Sequence, residues 1–196
     1  MSLKKLYEVF RGHEQLPIEI EEIAQAICNL GFQDRIEFHS VSMDTRELCG
    51  VIYQYTDQAV VYGEPRLVTL IAFPNDVSIP DSRVICCKEL LHVIDRAGER
   101  VNSATRLDHV TVDLLGEKDE AASAEAFIAA QDRLTIYRCL PLLFPAAARA
   151  AAVEMFKNGE RTVDQIAEWA SLPRELVAFI LGDDWPDVEK TIINGC

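Results

Sequence analysis

The chain has 196 residues, 49% of them hydrophobic, which is enough to bury one substantial core but too few for two full domains. Its formal net charge of −13 disfavours DNA or RNA binding, because nucleic-acid affinity rests largely on Lys and Arg that replace counterions. The longest apolar stretch, residues 140–153, is interrupted by Pro141, Pro145 and Arg149, so the sequence offers no membrane-spanning run of about 20 apolar residues.

The N-terminus and the cysteines favour a cytoplasmic protein. Residues 6–10, which follow two lysines, are too few and too polar for the apolar part of a secretion signal. Six cysteines are scattered along the chain without any CxxC spacing. This pattern indicates buried free thiols rather than a disulfide framework or a cysteine zinc knuckle.

A helix and several strands are predicted for the first half of the chain. Residues 17–30 carry apolar side chains at three- and four-residue spacing, and Gly31 follows where a helix end favours a left-handed residue. Strands are predicted over residues 35–41, 50–55, 58–62 and 65–73, with Thr56-Asp57 as a turn. The last of them is apolar on both faces, as expected of an inner strand.

Helices dominate the second half. A helix is predicted over residues 83–96, with Asp81 or Ser82 as N-cap and Gly98 after its end. Further helices are predicted over residues 118–137, 146–156, 162–169 and 173–181, with a break marked by Pro141 and Pro145. The acidic tail from Gly182 onward is predicted to be loosely ordered.

The helix over residues 83–96 contains the sequence Lys88-Glu89-Leu90-Leu91-His92. Residues four apart lie on one helix face, and zinc hydrolases use two ligands at this spacing with a Glu beside the first as general base. Here the pair is Lys88 and His92, and Glu89 occupies the position of the catalytic base. The motif looks like an HExxH helix with one ligand exchanged.

The order of motifs resembles that of the ImmA/IrrE-type zinc peptidases. In that family, the HExxH helix is followed by an acid-bearing helix rich in Ala and Phe and then by a Leu-Leu-x-Pro segment. Here the KELLH helix is followed by Glu120, Ala124 and Phe127, and then by Leu142-Leu143-Phe144-Pro145. The resemblance covers roughly residues 17–181. It implies an α+β, zincin-like minimal fold, in which a small mixed sheet of three to four strands packs on helices. It also implies a zincin-like domain over residues 1–145 and a helical C-terminal extension over residues 146–196 that packs on it.

The resemblance further implies a third metal ligand on the second helix, either Glu120 or Glu125, with Asp119 as a weaker candidate. Lys88 departs from the family pattern, because an ammonium has no lone pair and ligates zinc only after losing its proton. No metal or other cofactor is therefore expected. Instead, Lys88 is expected to stand roughly where the ion would be and to pair with Glu120 or Glu125 in a cleft that includes His92.

Two alternatives remain open on the sequence. In the first, the protein is an active metal-dependent peptidase with a rearranged site: His92, Glu120 or Glu125, and either Asp95 or His109 hold zinc, and Glu89 is the general base. In the second, residues 162–180 form a DNA-binding helix-turn-helix. The second helix of that pair lacks the basic and amide side chains that read base edges, which favours packing or partner recognition.

The sequence thus predicts a metallopeptidase-like protein that has lost zinc-dependent proteolysis and acts as a protein-binding or regulatory module. The resemblance implies a protein partner such as a transcriptional regulator of a prophage, mobile-element or stress circuit. Neither nucleic acid nor membrane is expected as a partner, and the oligomeric state stays open.

Overall fold

Two helices precede the sheet in the computed structural model, which describes residues 3–43, 50–58, 65–94 and 135–194. Helix α1 (Leu3–Phe10), which the periodicity analysis did not predict, buries Leu6 and Phe10 on one face. Helix α2 (Ile20–Asn29) buries Ile23 and Ile27 and is followed by Gly31 at φ 111°, as predicted. Both helices present one apolar face to the core.

A mixed sheet of three strands follows within the described residues. Strand β3 (Arg66–Pro74) lies between β1 (Arg35–Val41), which is parallel to it, and β2 (Val51–Asp57), which is antiparallel. The prediction of an inner strand over residues 65–73 is confirmed. The predicted turn at Thr56-Asp57 is wrong, because both residues continue β2 in register with Leu67 and Arg66. Most of the strand predicted over residues 58–62 lies outside the described residues.

Helix α3 (Ile79–Leu91) packs against β3, β2 and α2. Its N-cap is Ser78, whose hydroxyl oxygen accepts a hydrogen bond from the Asp81 backbone N–H at 3.2 Å. The predicted caps at Asp81 and Ser82 were therefore one turn too late, because Pro80 is compatible with the first turn of a helix. The helix also ends earlier than predicted, with His92 as its C-cap.

Five helices form the C-terminal part of the described chain. They are α4 (Thr135–Leu143), α5 (Ala146–Lys157), α6 (Val163–Ala170), α7 (Arg174–Leu181) and α8 (Trp185–Asn194). Pro141 lies inside α4, so the chain breaks only after Leu143, and not at both prolines as predicted. The tail predicted to be loosely ordered is also a helix, since α8 is anchored by the fully buried indole ring of Trp185.

One hydrophobic core joins the sheet, α3 and the C-terminal helices. Leu142, Leu143 and Phe144, which belong to the second motif of the family resemblance, are completely buried in this core. The architecture confirms the predicted α+β fold with a small mixed sheet and a helical C-terminal region. Within the described residues, no single helix has the length and apolar content of a membrane span. Helices α4 and α5 have that length and apolar content only when they are taken together, and the pair is bent by 78°.

Candidate functional site

The last turns of α3 carry two charged side chains into the protein interior. Lys88 is 8% exposed and Glu89 is 3% exposed. The Lys88 Nζ atom lies 2.8 Å from Glu89 Oε1, but this oxygen makes no contact with hydrogen-bond geometry in the described part of the chain. The two residues therefore form a buried ion pair rather than a well-aligned hydrogen bond.

Glu89 is a partner of Lys88 that the sequence did not predict, since it is the next residue on the same helix. The predicted partners, Glu120 and Glu125, lie outside the described residues, so their pairing with Lys88 stays a prediction. The carboxylate in the position of a general base thus has a cation as its immediate neighbour.

Gly50 explains how the Glu89 side chain fits into the interior. A Cβ atom at Gly50 would lie 2.7 Å from Ile85 Cγ2 and 2.9 Å from Glu89 Oε1, so the backbone just before β2 covers one turn of α3 closely. Only a residue without a side chain permits this approach. The sequence identified Gly50 as the start of a strand and missed its contact with Glu89, since no local pattern reports which distant helix a glycine touches.

His92 lies where the KELLH motif leaves the helix. It is half-buried, it keeps a right-handed helical backbone conformation at φ −64° and ψ −16°, and its N–H donates to the Glu89 carbonyl at 3.1 Å. Lys88 and His92 therefore keep the four-residue relation expected of two positions on one helix face. The prediction that Lys88 lies on this helix is confirmed, whereas His92 follows the last helical residue as the C-cap.

Two buried thiols lie beside the ion pair. Cys87 on α3 lies near Cys139 on α4, and the Cys139 thiol donates a hydrogen bond to the Thr135 carbonyl oxygen at 3.2 Å. Burial, followed by the contact with Cys87, raises the pKa of the Cys139 thiol well above its usual range, while nearby Lys88 lowers it. Burial likewise raises the pKa of Cys86 to about 12. All three thiols are free in the structure, as predicted, and the raised pKa values of Cys86 and Cys139 suit a core rather than a nucleophile.

The chemistry of the described side chains does not fit a zinc site. An ammonium paired with the adjacent carboxylate offers no lone pair at the first ligand position, and the described ranges contain no group of three or more His, Cys, Asp or Glu that could hold a metal ion. The other candidates for a rearranged site lie outside the described residues, and their assignment stays a prediction: Asp95, His109, Asp119, Glu120 and Glu125.

Helices α6 and α7 are the two helices predicted over residues 162–169 and 173–181. The short turn between them is at Ser171, which has a left-handed backbone conformation at φ 50°. Arg174, the cation at the start of α7, pairs with Asp164 at 2.8 Å. The remaining exposed positions of α7 are Glu175, Ala178 and Phe179, none of which is a typical base-reading side chain. The geometry is a helix-turn-helix without the chemistry of a recognition helix.

The chain matches no family model, no curated protein and no solved structure. The likeness to the ImmA/IrrE-type peptidases therefore rests on the residues quoted from the sequence.

Proposed function

We propose that this protein is a metallopeptidase-like binding or regulatory module that has lost zinc-dependent proteolysis. The observation that supports the proposal best is the buried ion pair between Lys88 and Glu89, at 2.8 Å. A general base must be able to accept a proton from a metal-bound water, and here a cation contacts the carboxylate that would do so.

A protein partner is part of the same proposal. The acidic surface, with 32 Asp and Glu against 19 Lys and Arg, favours encounter with a cationic segment of another protein over a phosphate backbone. The paired Arg174 at the start of α7 supports the same preference, because it leaves the helix-turn-helix without a free base-reading cation at that position. The resemblance suggests a transcriptional regulator as the kind of partner.

Restoring the missing ligand tests the proposal directly. In Lys88→His, the motif becomes a complete HExxH, so zinc content measured by plasma mass spectrometry should rise towards about one ion per chain. Wild-type protein purified without added zinc should hold far less. Lys157→His, which changes an exposed lysine on α5, is the matched control and should stay at the wild-type level.

Either of two results would contradict the proposal. Stoichiometric zinc in the wild-type protein would support the active, rearranged site with His92 as a ligand and Glu89 as the base. A folded Lys88→His protein with no zinc gain over Lys157→His would remove the kinship with zinc peptidases, because the other ligands would then be missing as well. Circular dichroism of both variants establishes that the fold is retained.

A further inference from the structure

A cavity of about 360 Å³ lies between α1, α8 and the start of α5, and no residue of the KELLH motif lines it. Its walls are held in place by specific contacts. The Ala147 and Ala148 N–H groups at the start of α5 donate to the carbonyls of Arg11 and His13, and the Tyr7 hydroxyl donates to the Arg138 carbonyl at 2.9 Å. The volume is at the lower end of the range of about 300–1,000 Å³ typical of small-molecule sites.

The charge of this cavity differs from that of the whole chain. Lys4, Arg11 and Lys190 line it together with the two carboxylates of Glu8 and Glu189, in a protein whose acids outnumber its Lys and Arg by 32 to 19. Arg11 pairs with Glu8 at 3.8 Å. Within the described part of the chain, neither Lys4 nor Lys190 has an ion-pair partner. Two ammonium groups are therefore available to a ligand at one cavity.

Glu189 is the second carboxylate of the cavity lining. Its side chain is half-buried, and burial raises the pKa of its carboxyl, although the charges of Arg149 and Arg11 partly oppose this rise. Apolar surface completes the cavity through Pro141, Pro186 and Ile193. The lining thus combines available cations with an apolar wall, which is the composition of a site for a molecule with one charged end.

We propose that this cavity binds a small organic anion, whose carboxylate or phosphate group contacts the ammonium groups of Lys4 and Lys190 and whose apolar part lies against Pro141, Pro186 and Ile193. A small ligand responds to the local charge, because salt screens charges further away than about 8–10 Å. A long polyanion would instead meet the net negative surface. The site is therefore selective for size as well as for charge.

Titration of the full-length, ¹⁵N-labelled protein with benzoate and with phenyl phosphate tests this inference by NMR. Saturable shifts should be concentrated in α1 and α8. The neutral probe benzyl alcohol should cause none of them. Saturation by one anion alone identifies the carboxylate or the phosphate as the recognised group, and either result supports an anion site.

The double variant Lys4→Gln/Lys190→Gln should weaken binding by about tenfold, since it removes both charge-assisted contacts. Lys5→Gln/Lys157→Gln removes the same charge at exposed lysines outside the cavity lining and should bind as the wild type does. All four lysines are exposed, so the amide spectra of both variants should show an intact fold. Equal affinity of the two double variants, or no saturable shift with either anion at tens of millimolar, would overturn the proposal.

Discussion

Two buried carboxylates in this protein are held in opposite ways. Asp34 is 8% exposed, and its Oδ2 atom accepts hydrogen bonds from Gln54 Nε2 and Thr69 Oγ1, each at 2.8 Å. Glu89 is 3% exposed, and its Oε1 atom lies against the Lys88 ammonium without hydrogen-bond geometry. Neutral donors from two strands stabilise the first carboxylate, whereas the second lies against a charged side chain.

The two carboxylates therefore differ in what holds them: Asp34 belongs to a hydrogen-bonded polar cluster, and Glu89 belongs to a buried ion pair. A hydrogen-bonded carboxylate that ties the residue before β1 to side chains of β2 and β3 needs no further explanation. A buried ion pair adds little net stability, because removing two charges from water costs about as much as their attraction returns. Under the proposed function, Lys88 and Glu89 occupy the first-ligand and general-base positions of the KELLH motif.

The largest expected effect comes from neutralising Glu89. Glu89→Gln removes the carboxylate that lies 2.8 Å from the buried Lys88 ammonium and should lower the free energy of unfolding by about 3 kcal/mol. Asp34→Asn keeps an oxygen that accepts the same hydrogen bonds and should cost about 1 kcal/mol. Urea denaturation measures both, with Glu154→Gln on the exposed face of α5 as the control. A larger cost at Asp34 than at Glu89 would refute the distinction between the two carboxylates.

Gly50 tests whether Glu89 is as tightly enclosed as the structure indicates. Gly50→Ala places a methyl group 2.7 Å from Ile85 Cγ2 and 2.9 Å from Glu89 Oε1, and should destabilise the protein by about 2 kcal/mol through overpacking. At Gly12 the same substitution meets no atom within 4 Å. Thermal unfolding should therefore show a clear drop in Tm for Gly50→Ala and almost none for Gly12→Ala. Equal Tm values would mean that the interior around Glu89 is open.

A third carboxylate, Glu189, gives the smallest effect and a pH dependence of known sign. Burial raises its pKa in the folded state above the unfolded value of about 4.3, so the folded protein holds this proton more tightly and ionisation costs stability as the pH rises. Glu189→Gln should thus stabilise the protein at pH 7, by only a few tenths of a kcal/mol because the group is partly solvated. The gain should vanish near pH 3.5, in denaturation curves recorded at both pH values. A gain that grows towards acid pH would contradict the raised pKa.

The fold was predictable where one face of an element is apolar. The sequences of α2, β3 and α5 each predict the correct type of element. In each of them the buried apolar side chains recur with the spacing of that type of backbone. The prediction failed at Thr56-Asp57 and at Pro141, where local turn and breaker signals were overridden by strand pairing and core packing. It also failed at α8, which packs against α1 and whose buried Trp185 ring contacts Phe179 of α7.

The sequence by itself determined which residue types stand at the motif. Lys88 and Glu89 lie on α3 and His92 is its C-cap, because spacing along a helix fixes which side chains are neighbours. Only the tertiary structure decided that Lys88 pairs with Glu89 and that Gly50 covers them, since burial and pairing arise from contacts between distant segments. The anion-binding cavity likewise has no local sequence signal, because its cations come from opposite ends of the chain and meet only when α1 packs against α8.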